Sequence, residues 1–533
     1  MAHGMVPFPP LTGAEGMGSG RTVYAAARNN TGRYRPKAQR ADSAAIPAPA
    51  GTEVHAAPRA AGTEHQCKRK ERGTMLDLLL KNAHVYAPED LGIVNVGIEG
   101  GRIAFVGGEE PAAVRTIDCG GNPVLPGAIE THAHMLLPFG GTHTMNDFYD
   151  GTMSGAIGGV TTLIDFADQA HGGTVTEALE ARLALAKECA VDYSFHCTMT
   201  DINEASLAEI PALVARGVTS FKFYTAYSAS GLYVPEDRMT EAFRRIAACG
   251  ALATVHCETE AEVLAATNRL IEQGRTAIAD FSESRPDESE ESAIAGVIAI
   301  AKKTGAKLLI RHVSSAAGAR LIEQAQAEGQ TVIGETCPHY LLLTRDVYQR
   351  ENGAEYICNP PIRGAADRDA LWRALETGVK FTIGTDDCAF YLEQKHVSDR
   401  FYEVPGGMPG IESRMPILLT EGVAKGRLSY ERLAHLTSTD VAKMYGIYPQ
   451  KGRVAAGCDA DLILVEPCAP YALTIGDLHE KSDYTPFEGL ELRQRIRMTI
   501  ARGRIVAENG AFTGRRGDGR LLHRGLPASV EAL

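Results

Sequence analysis

Residues 124–134 read Val124-Leu125-Pro126-Gly127-Ala128-Ile129-Glu130-Thr131-His132-Ala133-His134. The apolar first part predicts a strand over 124–131, and it runs directly into two histidines separated by one residue. On an extended chain, positions two apart point to the same side, so His132 and His134 can reach one ion together. An HxH pair alone also fits two polar residues facing water. Its meaning depends on what the rest of the chain places beside it.

Further apolar β-runs follow at 160–166, 193–199, 220–225, 253–258, 308–313, 331–336 and 380–385. Between most of them lie amphipathic helical patterns, among them 175–190, 236–248 and 317–327. Eight strands alternating with helices predict a closed parallel (β/α)8 barrel of the TIM type. The rival is an open doubly wound sheet, which usually carries a Gly-rich phosphate turn after an early strand. No convincing turn of that kind is present.

Barrel enzymes project their catalytic groups from the C-terminal ends of the strands. Here the fifth strand ends in His256, the sixth in His312 and the eighth in Asp386. A lone histidine on an apolar strand is ordinarily a satisfied core residue, but four on the strand ends of one barrel point to a metal. Asp386 could instead be a helix cap or turn residue, a role for which Asp387 is the better candidate. Lys222 lies between Phe221 and Phe223 in a strand expected to be buried. A buried ammonium is costly unless paired. Either it snorkels to the strand end, or its amine takes up CO2 and becomes a carbamate able to bridge two metal ions.

The flanks have a different texture. Short β-runs at 78–86, 94–98 and 102–106 return late in the chain at 460–465 and 498–506, which predicts a small β-sandwich built from both ends. The expected organisation is an N-terminal extension over 1–74, a β-domain over 75–126 plus 450–510, a barrel over 127–449 and a tail over 511–533. Residues 1–74 carry 11 Lys and Arg against 5 Asp and Glu and are nearly empty of large aliphatic residues, so they are expected to be disordered. They contain no apolar signal core. An Arg-rich transit peptide and a true start at Met75 are the two readings of this stretch.

The formal net charge of −12 argues against a nucleic-acid partner. No apolar run is long enough for a transmembrane helix, so no membrane partner is expected. Eleven cysteines, an odd number with no CxxC pair, read as a reducing, cytoplasmic compartment.

Taken together these motifs resemble the cyclic amidohydrolases, and most closely the dihydropyrimidinase/hydantoinase group. The resemblance runs from about Met75 to Arg520. Pro126 to His134 is similar to the family's first metal motif. Pro138-Phe139-Gly140-Gly141-Thr142 and Gly158-Gly159-Val160-Thr161-Thr162 follow as in hydantoinases. Ser220-Phe221-Lys222 resembles the carboxylated-lysine strand, Gly384-Thr385-Asp386 the Gly-Ser-Asp element, and Asp459-Ala460-Asp461-Leu462 the closing strand of the small β-domain.

The resemblance implies two divalent metal ions, zinc in most members. His132, His134 and Asp386 would hold one, His256 and His312 the other, and carboxylated Lys222 would bridge them with a hydroxide. Tyr227, five residues after Lys222, would stabilise the oxyanion, and Asp386 would also act as general base and acid. Asn359 and Gly406 would bind the amide edge of the substrate, largely through their main chain. The implied reaction opens a dihydropyrimidine or 5-substituted hydantoin to an N-carbamoyl amino acid. The implied assembly is a homotetramer or homodimer, with Arg516-Gly517-Asp518-Gly519-Arg520 similar to the tail hydantoinases use between subunits.

Several positions depart from the pattern. Glu130 stands for a usual Asp, Asp387 for a frequent His, Asn359 for a usual Ser and Gly406 for a usual Asn. Leu136 stands where dihydroorotases place an Arg, which disfavours that branch. Cys337-Pro338-His339-Tyr340 is closer to allantoinase, which stays open as an alternative, as does a non-catalytic relative that has lost its metals.

Overall fold

A computed structural model describes residues 75–533. The expectations for residues 1–74 lie outside the described residues.

The barrel strands are β1 (Ala128–Glu130), β2 (Val160–Asp168), β3 (Asp192–Thr198), β4 (Ser220–Tyr224), β5 (Leu252–His256), β6 (Lys307–Ile310), β7 (Val332–Thr336) and β8 (Phe381–Ile383). Each is parallel to the next in chain order. At least one helix separates every successive pair, including the expected Glu236–Ala248. The ladder is closed just beyond the strand ends. Asp387 N–H donates to the His132 carbonyl (3.1 Å), and His134 N–H donates to the Asp387 carbonyl (2.8 Å). The seam joining β8 to β1 therefore runs through the HxH segment itself.

Alternation along the strands sorts their side chains into two cores. Leu163, Ala253, Leu308 and Val332 pack outward against the helices, whereas Ile164, Leu252, Leu309 and Ile333 fill the barrel interior with Met444, Tyr445 and Leu522. The same rule explains the Phe221-Lys222-Phe223 run. Both phenylalanines join the outer core, which turns Lys222 to the interior.

The strand expected over 124–131 is two strands. Pro123–Pro126 pairs with Leu462–Ala472 in the flanking sheet, and only Ala128–Glu130 belongs to the barrel. The chain changes sheets at Gly127, where an added Cβ would stand 2.3 Å from the Thr161 hydroxyl oxygen. A continuous apolar pattern carries no signal for such a change of partner. The run expected over 498–506 is likewise the end of Glu491–Ala501 and the start of Arg504–Glu508, joined by a turn at Arg502-Gly503.

The flanking domain is one nine-stranded sheet drawn from both ends of the described chain, and its strands enclose a common core including Leu80, Val96, Val124, Leu464 and Ile500. Ala511–Phe512 adds its edge strand. The following tail packs on its own barrel. Tyr193 N–H donates to the Arg520 carbonyl (2.9 Å), and the buried Arg524 donates to Ser194 Oγ (3.0 Å) and Ser220 Oγ (2.8 Å). All ten cysteines among the described residues are free thiols, and no helix there is long and apolar enough to cross a membrane.

Candidate metal centre

Five donor side chains and one amine converge at the C-terminal mouth of the barrel. His132 and His134 follow β1, His256 ends β5, His312 lies two residues past β6 and Asp386 three past β8. Donor atoms of His132, His312 and Asp386 lie within 4.8 Å of one another. His134 Nε2 is 3.4 Å from Asp386 Oδ1, and His256 Nδ1 is 3.0 Å from His312 Nε2. The Lys222 amine stands among them, 5.0 Å from the Phe166 ring centre and 4.9 Å from that of Tyr224, with no carboxylate in ion-pair contact among the described residues.

Two carboxylates behind the site orient the histidines. Glu335, on β7, lies 2.5 Å from His132 Nδ1 and also receives Arg311 (2.7 Å). Glu258 lies 2.9 Å from His256 Nε2 and is gripped by two nitrogens of Arg285 (2.8 and 2.5 Å). Burial alone would raise both carboxyl pKa values, but the arginines outweigh it, holding Glu335 at about 2 and Glu258 well below the carboxylate range. Each carboxylate thus accepts one ring N–H and leaves the opposite nitrogen as a lone pair facing the cluster.

That arrangement suits a cation between the donors. His132 Nε2 is buried, lacks any well-aligned hydrogen bond, and lies 2.9 Å from Asp386 Oδ1. Two acceptors face each other there, while His256 Nδ1 and His312 Nε2 share one contact at 3.0 Å and His312 Nδ1 is buried without a partner. Three ligand-bearing or site residues, His312 (φ 38°), Asp386 (φ 52°) and Tyr227 (φ 74°), adopt left-handed backbone conformations. Such strain concentrates where surrounding structure imposes a geometry for function. Imidazole and carboxylate donors at this spacing fit divalent metals.

Lys222 completes the fit. Burial first, and then the Arg311 charge, lower its pKa from the usual lysine range to about 7. At neutral pH much of it is the free amine, the form that can add CO2.

Tyr227 stands above the cluster, its ring centre 4.9 Å from that of His256 and 6.1 Å from that of Phe139. Glu260 accepts its backbone N–H (2.7 Å), and the Arg285 guanidinium lies 5.2 Å from its ring centre. Phe139 is carried by a small hairpin whose turn, Gly140-Gly141, needs positive φ at both positions.

Asn359 and Gly406 face each other across two loops at the rim. A Cβ on Gly406 would stand 2.5 Å from Asn359 Nδ2. The absence of a Cβ at Gly406 makes room for the Asn359 carboxamide. Asp387 is no helix cap. Its buried carboxylate accepts the N–H groups of Gly410 (2.8 Å) and Ile411 (3.2 Å), and burial raises its pKa to about 6.

Glu258, Arg285, Glu335 and Arg311 carry no role in the sequence reading. Glu258 was reachable in principle, because His256-x-Glu258 repeats the same-side spacing of the HxH pair. Glu335 meets His132 across 203 positions, and no local pattern reports that contact.

The amidohydrolase family model matches residues 124–506. The chain belongs to the amidohydrolase family. Within it, this amidohydrolase is 36% identical over 454 residues to the D-phenylhydantoinase of Escherichia coli O81 (strain ED1a), covering 84% of this chain and 98% of the relative. The crystal structure of dihydropyrimidinase from Brevibacillus agri NCHU1002 superposes with a TM-score of 0.82 at 34% identity, covering 84% of this chain and 99% of that one. D-hydantoinase from Bacillus sp. AR9 gives 0.82 at 32% identity, over 85% and 100% of the two chains. The chain is a cyclic amidohydrolase of the hydantoinase and dihydropyrimidinase group.

Proposed function

We propose that this cyclic amidohydrolase opens a dihydropyrimidine or 5-substituted hydantoin ring to an N-carbamoyl amino acid. The observation that carries the reading is the meeting of two histidine pairs at Asp386 and at a lysine amine left without a counter-ion. His132, His134 and Asp386 would hold one divalent metal, zinc by donor type, and His256 and His312 a second, with carboxylated Lys222 between them. Metal bound there supplies a Lewis acid and a nucleophilic oxygen from water at neutral pH.

The protein's own groups do the rest. Tyr227 donates its phenol to the substrate carbonyl oxygen as negative charge develops there. Burial pushes its pKa well above the ordinary tyrosine value, so it keeps the proton needed for donation. Asp386 takes a proton from the attacking water and returns it to the ring nitrogen as the C–N bond breaks. Burial raises its carboxyl pKa, but His132 outweighs this and holds it well below the usual value, so it starts ionised. The main chain at Asn359 and Gly406 binds the amide edge of the ring.

A hydrolysis panel of dihydrouracil, hydantoin, phenylhydantoin, allantoin and dihydroorotate, with zinc per chain measured on the same preparation, tests the reading. Turnover of the first three and about two zinc ions per chain is expected. Turnover confined to allantoin or dihydroorotate would overturn the substrate assignment.

A further inference from the structure

Lys395 ends the short helix Leu392–Lys395, is completely buried, and has no carboxylate in ion-pair contact among the described residues. Its ammonium instead donates to three main-chain carbonyls, those of Ile357 (2.9 Å), Pro405 (2.7 Å) and Gly407 (3.0 Å). Burial lowers its pKa to about 7, and the three carbonyls, which can only accept, favour the protonated form, whose three N–H donors they use up. A buried cation without a partner charge is costly, and three carbonyl dipoles offset that cost here.

The choice of carbonyls links Lys395 to the substrate. Ile357 lies two residues before Asn359, while Pro405 and Gly407 flank Gly406. The same Ile357 carbonyl also accepts the Gly407 N–H (2.9 Å), so the two rim loops are tied at one point that Lys395 caps.

A trans peptide is planar, with its C=O and N–H directed oppositely. With the Pro405 oxygen held by Lys395, the Gly406 N–H of that same peptide points away from the ammonium. That N–H has no hydrogen-bond partner among the described residues. Gly406 is half-buried and borders Asn359, whose Oδ1 is buried without a partner. A free donor and a free acceptor thus sit side by side at the rim.

We propose that Lys395 is a positioning residue for substrate recognition. By gathering the Ile357, Pro405 and Gly407 carbonyls, it aims the Gly406 N–H at the carbonyl of the ring's amide edge and holds the Asn359 loop beside it. The inference rests on the reading of the site as a cyclic-imide hydrolase, and it extends that reading to a residue remote from the metal ligands. An apolar side chain of equal length would fill the space but release the carbonyls. An arginine keeps the charge, but its flat fork cannot bring three acceptors to one point.

The test measures kcat and KM for dihydrouracil and hydantoin, with zinc per chain and melting temperature, in wild type, Lys395→Met and Lys395→Arg. If the wild type hydrolyses neither ring, the functional reading fails before Lys395 is tested. With an active wild type, KM is expected to rise about tenfold or more in both variants at unchanged zinc content, with a smaller change in kcat. Unchanged KM in a folded variant overturns the proposal. A parallel loss of zinc, kcat and melting temperature does so too, because it would make Lys395 an ordinary structural clamp. If the Met variant is insoluble, the Arg variant decides by the same criteria.

Discussion

Glu335 Oε1 lies 2.5 Å from Nδ1 of His132, joining residues on opposite sides of the barrel seam. The contact sets the tautomer of the imidazole, and with it which nitrogen can bind metal. It also leads inward. Arg311 bridges Glu335 (2.7 Å) to His196 (3.1 Å), His196 reaches Ser220 Oγ (2.6 Å), and Ser220 receives Arg524 from the C-terminal tail (2.8 Å). A hydrogen-bonded column therefore runs from the tail to a histidine of the barrel-mouth cluster.

Glu335→Gln should weaken zinc binding by about 10- to 100-fold, the usual cost of removing a partner of a metal-binding histidine. It should also lower the melting temperature, because Arg311 keeps its buried charge and loses its counter-ion. Zinc retained against a graded chelator reads the first effect. Wild-type retention would show that the contact does not orient His132.

Asp386→Asn should give a folded protein that keeps some zinc and is nearly inactive. Asn offers an oxygen but cannot carry the proton, a loss of roughly 10²–10⁴-fold in kcat. More than about a tenth of wild-type turnover would remove Asp386 from the proton path.

Tyr227→Phe keeps the ring that packs 4.9 Å from His256 and removes only the hydroxyl. Loss of one oxyanion donor should lower kcat by roughly 10²–10³-fold at constant zinc content. An effect confined to KM would make Tyr227 a binding residue instead.

Lys222→Ala should lose the two-metal centre and regain part of its activity with a small carboxylic acid at high concentration. Lys222→Arg cannot form a carbamate and should stay inactive. The wild-type pKa near 7 adds a pH dependence. The reactive free amine is scarce below that value and abundant above it. Zinc uptake by the apo-protein at fixed dissolved CO2 should therefore speed up from about pH 6 to about pH 8. An active, zinc-replete Arg variant would refute the carbamate.

The fold class, and the convergence of the candidate donor side chains at one barrel mouth, were legible in the sequence because both rest on short-range rules. Period-two alternation marks the strands and turns Lys222 inward between Phe221 and Phe223. Parallel barrels present their strand ends on one side, so His132, His134, His256, His312 and Asp386 could be placed together before any distance was known. What only the tertiary structure decided depends on contacts between distant segments. Gly127 divides one apolar run between two sheets because Thr161 occupies the space beside it. Asn359 and Gly406 meet across two loops, Glu335 finds His132 203 positions away, and Lys395 gathers carbonyls from two loops at once. Each of these is a matter of packing and hydrogen-bond satisfaction in a closed interior, and no local stretch of sequence contains both partners.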